Sequence, residues 1–266
     1  MARSSLKLLK KIALALLVSS AFTQSFAQNN SSPWISLFNG QDLSGWVAKF
    51  TGHRLGENYL NTFRVENGTL VVAYDNWSEF NGEFGHLFYE QSFSHYLLRV
   101  EYRFVGEQVA NGPGWAYRNN GLMLHSQSPA SMTLNQEFPA SIEVQLLGGN
   151  GSDDRSTANV CSPGTHYERE GNLITQHCVN SSSNTFHGDQ WVTLEVEVSG
   201  NNLIRHSVNG ELVFEYAKPQ LDENDPDAQN LIGQGQTIAI SEGYISLQAE
   251  SHPTEFRKIE LLPLTP

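Results

Sequence analysis

The stretch HYLLRVEYRFV, residues 95–105, alternates between apolar and charged side chains. Every even-numbered residue from 98 to 104 is apolar, and every odd-numbered residue from 99 to 103 is charged. Successive side chains of a β-strand point to opposite faces. This period of two therefore predicts a strand with one face on a core and the other in solvent.

The same pattern recurs along the chain. WVTLEVEVSG (191–200) and GYISLQAE (243–250) alternate in the same way, and Asn-Gly pairs at 67–68 and 209–210 each separate two strand-like runs. Asn-Gly between such runs is the strongest short-range signal for a β-hairpin. Because no segment has a convincing helical period, we predict an all-β fold, an antiparallel two-sheet jelly-roll sandwich.

Two stretches, 148–190 and 217–236, show no regular pattern and are expected to be long loops. The acidic run DENDPDAQN within the second stretch is expected to lie in solvent. Loops of this length, when ordered, are commonly functional.

The first 27 residues have the features of a secretory signal peptide. Basic residues precede the short apolar run IALALLV (12–18), and the small-residue pattern SFA ends at Ala27. This apolar run is too short to remain as a membrane-spanning helix. We therefore expect an exported protein, periplasmic or extracellular, with residues 28–266 forming a single domain.

The chain carries a formal net charge of −12, and removal of the basic leader would make the charge more negative. Such a surface repels nucleic acids and anionic membranes. A neutral ligand, or a cation, suits this charge better than a polyanionic partner.

Two cysteines, Cys161 and Cys178, are present. In an oxidising compartment they are expected to form one disulfide. The alternative is a pair of metal ligands together with His166 and His177, but two widely spaced thiols in an exported chain favour the disulfide.

Two predicted strands carry polar side chains opposite an apolar face. In GLMLHSQ (121–127), His125 and Gln127 are expected opposite the leucines, and in SIEVQLLGG (141–149), Glu143 and Gln145 are expected opposite the aliphatic residues. Such strands predict a sheet that presents a chemical site on one face.

Several longer motifs occur in order: ISLFNGQDLSGW, SIEVQLLGG, GDQWVTLEVEV, VNGELV and GYISLQAESHPTEFRKIELLPL. Together they resemble the 3-keto-disaccharide hydrolase domain family, over about residues 35–264. CSPGTHYE and HCVNSSSNTF resemble a subgroup with a cysteine-containing loop. The resemblance implies a concanavalin A-like jelly roll that cleaves glycosides whose C3 hydroxyl has been oxidised to a ketone. A sugar 3-dehydrogenase would then be a functional partner, since it would supply that ketone.

A C3 ketone makes the C2 proton acidic, so a base can remove it and the resulting enolate can expel the aglycone from C1. Addition of water to the double bond completes a net hydrolysis, and direct hydrolysis is the other route. The protein must supply a base, an electrophile at the ketone oxygen and an acid for the leaving group. A hydrolase or a lyase-type enzyme would meet these requirements.

The catalytic candidates are His125, as base or electrophile, and Glu143, as base or metal ligand. A lone strand histidine is more often structural, but its polar neighbours favour a functional role. The segment EVQLLG lacks the second carboxylate of a β-glucanase ExDxxE pattern, because Gly148 replaces it. A retaining glycosidase needs two carboxylates, so an ordinary endoglucanase is disfavoured.

The candidate substrate-binding residues share polar or aromatic side chains suited to a sugar. They are Trp115, Arg118, Gln127, Gln145, His166, His177, Gln248 and Glu250. A divalent metal ion held by Glu and His on adjacent strands stays open. His86 and His206 have no evident partner in the sequence and are assigned to the surface.

A non-catalytic carbohydrate-binding module is the alternative function, because the same fold serves both purposes. A module would need only aromatic and amide contacts to the sugar. Loss of Glu143 would then weaken binding modestly, whereas an enzyme would lose turnover and keep its ligand.

Overall fold

The computed structural model describes Met1 and residues 33–266. The predicted signal peptide and its cleavage site therefore lie outside the described residues, apart from Met1. Within the described part of the chain, no helix has the length and apolar character needed to cross a membrane.

Seventeen strands and one α-helix make up the regular structure of the described residues. In chain order they are β1 (Ile35–Ser36), β2 (Trp46–Phe50), β3 (Phe63–Glu66), β4 (Thr69–Val72), β5 (Gly85–Phe93), β6 (His95–Phe104), β7 (Asn119–Ser126), β8 (Ile142–Leu147), β9 (Asn159–Cys161), β10 (Thr165–Arg169), β11 (Asn172–Ile174), β12 (Cys178–Val179), β13 (Val192–Ser199), β14 (Leu203–Val208), β15 (Glu211–Leu221), α1 (Pro226–Gly233), β16 (Gly243–Ala249) and β17 (Thr254–Pro263). Short 3₁₀ turns lie at Tyr59–Asn61, Gly114–Ala116 and Pro129–Ser131.

The strands form two antiparallel sheets. The first has the order β11-β10-β15-β14-β13-β6-β17-β4-β3, with β1 paired to β17, and the second has the order β12-β9-β8-β7-β16-β5-β2. Most neighbours in these orders are distant in the chain, which is the pattern of a jelly-roll sandwich. The predicted all-β fold class is confirmed.

The central strand of the first sheet is β6, which pairs with β13 on one side and β17 on the other. Its even-numbered residues are buried, Leu98 and Val100 completely. In the second sheet, Leu122 and Val144 are equally buried on the face that packs against the first. Both predicted Asn-Gly hairpins are present, between β3 and β4 and between β14 and β15.

The two stretches expected to be loops contain regular structure. Strands β9 to β12 lie within 148–190, and α1 lies within 217–236. The side chain of Asp225 accepts hydrogen bonds from the backbone amides of Asp227 and Ala228, and Pro226 occupies the first helical position. These are standard helix-start signals. The expected loop is therefore wrong from residue 226 onwards, where the acidic run is helical, although Pro226, Gln229 and Asn230 are exposed to solvent as expected.

Candidate active site

Strand register aligns polar side chains in a row across the outer face of the second sheet. Gln145 on β8 lies opposite Gly121 on β7, and Gln248 on β16 lies opposite His86 on β5. On the other side of β7, the Gln248 side chain lies next to Gly121, one residue beyond the paired Leu247 and Leu122. Four strands thus bring these residues together. Gln145 of this row lines a cleft, whereas Gln248 and His86 are fully buried beside it.

Two carboxyl groups flank this row. Glu143 precedes Gln145 by two residues and lies opposite Cys161 of β9. Glu250 follows Gln248 by two residues, immediately after β16. Both glutamates are buried, with 6% and 3% of their surface exposed.

The glycine in the row leaves the space that the larger side chains use. A Cβ atom at Gly121 would lie 2.7 Å from Oε1 of both Glu143 and Gln248. These two side chains therefore converge above the backbone of β7, and any side chain at position 121 would displace them.

Several buried polar atoms of the cleft have no hydrogen-bond partner within the described residues. They include both amide atoms of Gln248, Oε2 of Glu250 and Oδ1 of Asn119. Buried polar groups are nearly always satisfied in native proteins. Asn119 and Glu250 line the cleft, so the unpartnered atoms of these two residues lie at its wall, and those of Gln248 are fully buried.

The walls of the cleft are aromatic and apolar, and they enclose about 370 Å³. Trp115 is 55% exposed, and its ring stacks on Phe84 at 5.9 Å with an interplanar angle of 20°. Phe138 forms another part of the wall. Small-molecule sites of about this size commonly combine apolar walls with a few convergent polar groups.

The Cys161–Cys178 disulfide, predicted from the sequence, is present and also lines the cleft. The two cysteines are opposite each other on β9 and β12, and Cys161 is opposite Glu143 on its other side. The bridge therefore ties the end strand of the second sheet to the wall beside Glu143.

Burial governs the electrostatics of the carboxyl pair. Burial raises the pKa of Glu143 to about 8. Burial, and secondarily the charge of Glu143, raises the pKa of Glu250 well above its ordinary value. Since two adjacent negative charges removed from water are unfavourable, the pair retains at least one proton at neutral pH. The pair can therefore offer one protonated carboxyl group together with one that ionises.

His86, assigned to the surface from the sequence, is fully buried beside Gln248. Burial, assisted by the charge of Lys49, lowers the pKa of His86 to about 3, so its ring is neutral. Both ring nitrogens lack a partner within the described residues. The sequence offers no signal for this placement, because the pairing of β5 with β16 is a long-range contact.

His206, which was also assigned to the surface, is buried as well, and its Nδ1 lies 2.9 Å from the carbonyl oxygen of Ala158.

The structure brings half of the predicted catalytic and substrate-binding residues to this cleft. They are Trp115, Glu143, Gln145, His177 and Glu250. Gln248 is fully buried next to the Glu143 side chain. Nδ2 of Asn159 donates a hydrogen bond of 3.0 Å to Oε1 of Gln145. His177 lies at the opposite wall, where desolvation lowers the pKa of its ring.

His125 lies elsewhere. Its φ of +47° interrupts the strand alternation, and its Nε2 lies 3.0 Å from the carbonyl oxygen of Gly200, in the turn between β13 and β14. The expected sharing of one face with Glu143 is therefore wrong, because the left-handed residue redirects the side chain. The ring is buried and lines a second cavity.

Three other predicted residues are engaged outside the cleft. The guanidinium of Arg118 donates hydrogen bonds to the carbonyl oxygen of Gly188 and to Asp189. Nε2 of His166 lies 3.3 Å from Asp222, on the first sheet. The Gln127 amide braces the segment after β7, since its Oε1 accepts from the backbone amide of Ala140 at 2.7 Å.

This arrangement does not provide, among the described residues, a cluster of side chains for the metal ion considered in the sequence analysis. Among the described residues, no group of three or more His, Cys, Asp and Glu side chains is placed to hold a metal ion. What the cleft does offer is a pair of buried carboxyl groups whose pKa values are raised, together with an exposed indole.

The family model described as a 3-keto-alpha-glucoside-1,2-lyase-like domain matches residues 33–262. The chain belongs to this family. The resemblance found in the sequence motifs is thereby confirmed, and the membership supports a carbohydrate-active protein.

Solved structures show the same fold in other proteins. Two proposed glycosyl hydrolases from Parabacteroides distasonis ATCC 8503 both give a TM-score of 0.51, at 16% and 14% identity. Each match covers 87% of this chain, and the matches cover 94% and 100% of the respective neighbours. A Bacillus subtilis protein of unknown function with a galectin-like fold gives 0.51 at 10% identity, over 83% of this chain and 90% of its own. No relative was found among the curated proteins.

Proposed function

We propose that this family member cleaves the glycosidic bond of 3-keto-glycosides in the cleft between Trp115 and the disulfide. The observation that carries the proposal is the buried pair Glu143 and Glu250, whose raised pKa values keep an acid beside a carboxyl that ionises near neutral pH. Pairs of titratable groups with separated pKa values identify acid and base roles. The family's description as a 1,2-lyase-like domain fits a reaction across C1 and C2.

In the proposed reaction, the Glu143 carboxylate removes the proton from C2. The C2–H electron pair forms the C2=C3 bond of an enolate as the ketone π electrons move to the oxygen at C3. The enolate then reforms the ketone and creates a C1=C2 bond, and the bond from C1 to the aglycone oxygen breaks. Glu250 donates its proton to the departing oxygen. Water then adds across C1=C2, with its hydroxyl going to C1 and a proton to C2.

Two buried residues beside the cleft suit the charge that develops at the C3 oxygen. The Gln248 amide and the neutral imidazole of His86 are buried and have unpartnered nitrogens. A preorganised donor in a site protected from water stabilises an enolate oxygen strongly. Gln248 is the proposed donor to this oxygen, with His86 positioned behind it on β5.

Trp115 suits the sugar ring itself. Its face carries negative charge density, and the C–H groups of a pyranose are slightly positive. The indole is supported by Phe84 from behind. Stacking would hold the substrate with C2 towards the carboxyl pair without the use of a charged residue.

An ordinary retaining glycosidase fits the carboxyl pair less well. That mechanism needs one carboxylate that stays ionised as the nucleophile. The pKa values of Glu143 and Glu250 are both raised, so at neutral pH neither is a permanently charged group. A raised pKa favours the role of a base that removes the C2 proton, because a more basic carboxylate removes a weakly acidic proton more readily.

The test is incubation of the protein with a 3-keto-glucoside that carries deuterium at C2, followed by mass spectrometry of the products. Release of the aglycone with loss of deuterium supports elimination. Release with the deuterium retained overturns the C2 step and leaves direct hydrolysis. The matched control is Glu211→Gln, which removes an exposed carboxylate on the first sheet.

A carbohydrate-binding module is the second candidate, because an exposed Trp and unpartnered amides also suit binding alone. If the protein binds the unoxidised glucoside but releases no aglycone from the 3-keto form, the module is correct. A chelator added to the same assay tests the metal hypothesis. If the chelator lowers the rate of aglycone release, the reaction depends on a metal ion, which the carboxyl pair would help to hold.

We also propose export and a functional link to a sugar 3-dehydrogenase. The leader-like residues 1–27 support export, and the ketone at C3 has to be made by an oxidation that precedes this reaction. Mass spectrometry of the protein recovered from cells tests export, with Gln28 expected at the mature N-terminus. A retained Met1 would overturn that cleavage.

A further inference from the structure

A second cavity lies near the end of the second sheet where β7 finishes and β16 begins. It encloses about 380 Å³ between these strand ends, the 3₁₀ turn at Pro129–Ser131 and α1. Its lining residues differ from those of the cleft. A volume of this size is within the range of small-molecule sites, about 300–1,000 Å³.

One wall of this cavity is polar but carries no positive charge. Hydroxyl groups come from Ser126, Ser128 and Ser131, and the Gln127 amide holds this wall together through hydrogen bonds with Ser131, Gln136 and Ala140. Glu242 is the one carboxylate among the lining residues, and no Lys or Arg of the described chain lines the cavity. An anionic ligand would therefore meet an acidic residue and no cation, whereas a neutral polyhydroxyl ligand would meet suitable partners.

The opposite wall is apolar. Leu221, Leu231 and Ile240 belong to a small hydrophobic cluster separate from the main core, and all three line the cavity. The ring of Tyr244 adds an aromatic surface. A pyranose has an apolar C–H face and a rim of hydroxyl groups, so walls of both kinds match it.

His125 supplies the observation that points to a missing partner. The residue is 2% exposed and lines the cavity, and its Nδ1 has no hydrogen-bond partner within the described residues. Its Nε2 is already used by the Gly200 carbonyl, so a neutral ring leaves Nδ1 as an acceptor. This atom is shielded in the structure, so a ligand hydroxyl could donate to it once a small shift of the ring turns it towards the cavity.

Local backbone irregularities build this cavity. His125 has a φ of +47°, and the register between β7 and β16 shifts between Tyr244 and Ser246. A Cβ at Gly243 would lie 2.4 Å from the carbonyl carbon of His125, so only glycine fits there. Bulges and strained residues redirect side chains next to functional sites.

We infer that this cavity is a second carbohydrate site, which takes a neutral, unoxidised pyranose. The inference does not rest on the proposed cleavage reaction, because it concerns the binding of a sugar that the cleft would not convert. A second site would hold an oligosaccharide near the cleft and increase the local concentration of its chain ends.

The test is an NMR titration of the ¹⁵N-labelled protein with methyl β-D-glucopyranoside and with cellobiose. The Trp115→Ala variant weakens binding in the cleft, so that the second site can be followed alone. We expect shift changes at the backbone amides of Ser126, Ser128 and Gly243 in this variant. Tyr244→Ala should weaken that response at least about tenfold, while Tyr244→Phe, which keeps the ring, should retain most of it.

Either of two results would overturn the inference. One is the absence of shift changes at these three amides with both sugars. The other is a response that persists unchanged in Tyr244→Ala, with a spectrum that shows the variant is folded. The cleavage assay with the 3-keto substrate is a separate measurement, so failure of one proposal is distinguishable from failure of the other.

Discussion

The cleft and the second cavity are both lined by residues of the second sheet. A regular backbone builds the cleft, whereas an irregular backbone builds the second cavity. In the cleft, uninterrupted register aligns Gln145, Gly121 and Gln248 across three strands. In the second cavity, a left-handed residue and a register shift turn His125 towards the first sheet. The alternation of polar residues along one strand therefore identifies site residues only where the backbone of that strand is regular.

The electrostatics of the two regions also differ. The cleft concentrates two buried carboxyls whose pKa values are raised. In the second cavity, burial lowers the pKa of His125 to about 4, so the ring stays neutral. These differences suit the proposed proton transfer in the cleft and the proposed binding of a neutral sugar in the second cavity.

The largest expected effect is on turnover in the cleft. Glu143→Gln should lower kcat for a 3-keto-glucoside by about 10²–10⁴-fold, because general base catalysis is worth that much. Binding should change little, since the amide keeps the shape of the side chain. Steady-state kinetics measure both, with Glu211→Gln as the control, and an unchanged kcat would remove Glu143 from the mechanism.

The dependence of the cleavage rate on pH should follow the ionisation of Glu143 and Glu250. The pKa of about 8 for Glu143 predicts that kcat/KM rises about tenfold per pH unit below pH 8, because the base must be ionised. At higher pH the rate should level off or fall as Glu250 loses its proton. A rate that is independent of pH between 6 and 8 would contradict this assignment.

Stability should show the opposite trend with pH. The pKa of Glu143 is raised from 4.5 to about 8 in the folded state, so the folded protein binds more protons between these values. Its free energy of unfolding therefore falls as pH rises, by up to about 1.4 kcal/mol per pH unit for this group. Glu143→Gln lacks this contribution, and its stability relative to the wild type should increase from pH 5 to pH 8. Urea unfolding at several pH values measures the difference, and parallel curves would contradict the prediction.

Removal of the disulfide should have a smaller, pH-independent effect. The bridge joins residues 17 apart in the sequence, and closure of such a loop contributes about 3 kcal/mol in the chain-entropy model. The double variant Cys161→Ser and Cys178→Ser should lose about this much stability in urea. Chemical reduction of the wild type gives a matched comparison. A loss of stability without loss of sugar binding would show that the bridge only stabilises the wall.

The smallest effect is expected at the rim of the cleft. Trp115→Ala should raise KM about tenfold, which corresponds to about 1.4 kcal/mol, and leave kcat within a few-fold. Trp115→Phe keeps an aromatic face and should recover part of the affinity. A loss confined to kcat would mean that the indole acts on the reacting atoms and not on sugar binding.

Strand parity predicted much of the site. The alternation in GYISLQAE places Gln248 and Glu250 opposite the buried Ile245 and Leu247, as the structure has them. The same reasoning failed for His125, because a positive φ cannot be read from an alternating pattern. It also missed His86, because the register that joins β5 to β16 depends on contacts more than 150 residues apart in the chain.

The sequence by itself determined the local features: the period-two strands, the two Asn-Gly hairpins, the cysteine pair and the family motifs. These features depend on neighbouring residues, whose side chains alternate by covalent geometry. Tertiary structure alone decided which strands became neighbours, and with them the convergence of Glu143 and Gln248 over Gly121. The tertiary structure also decided the raised pKa values of Glu143 and Glu250. Desolvation depends on all the groups packed around a carboxyl group and not on its position in the sequence.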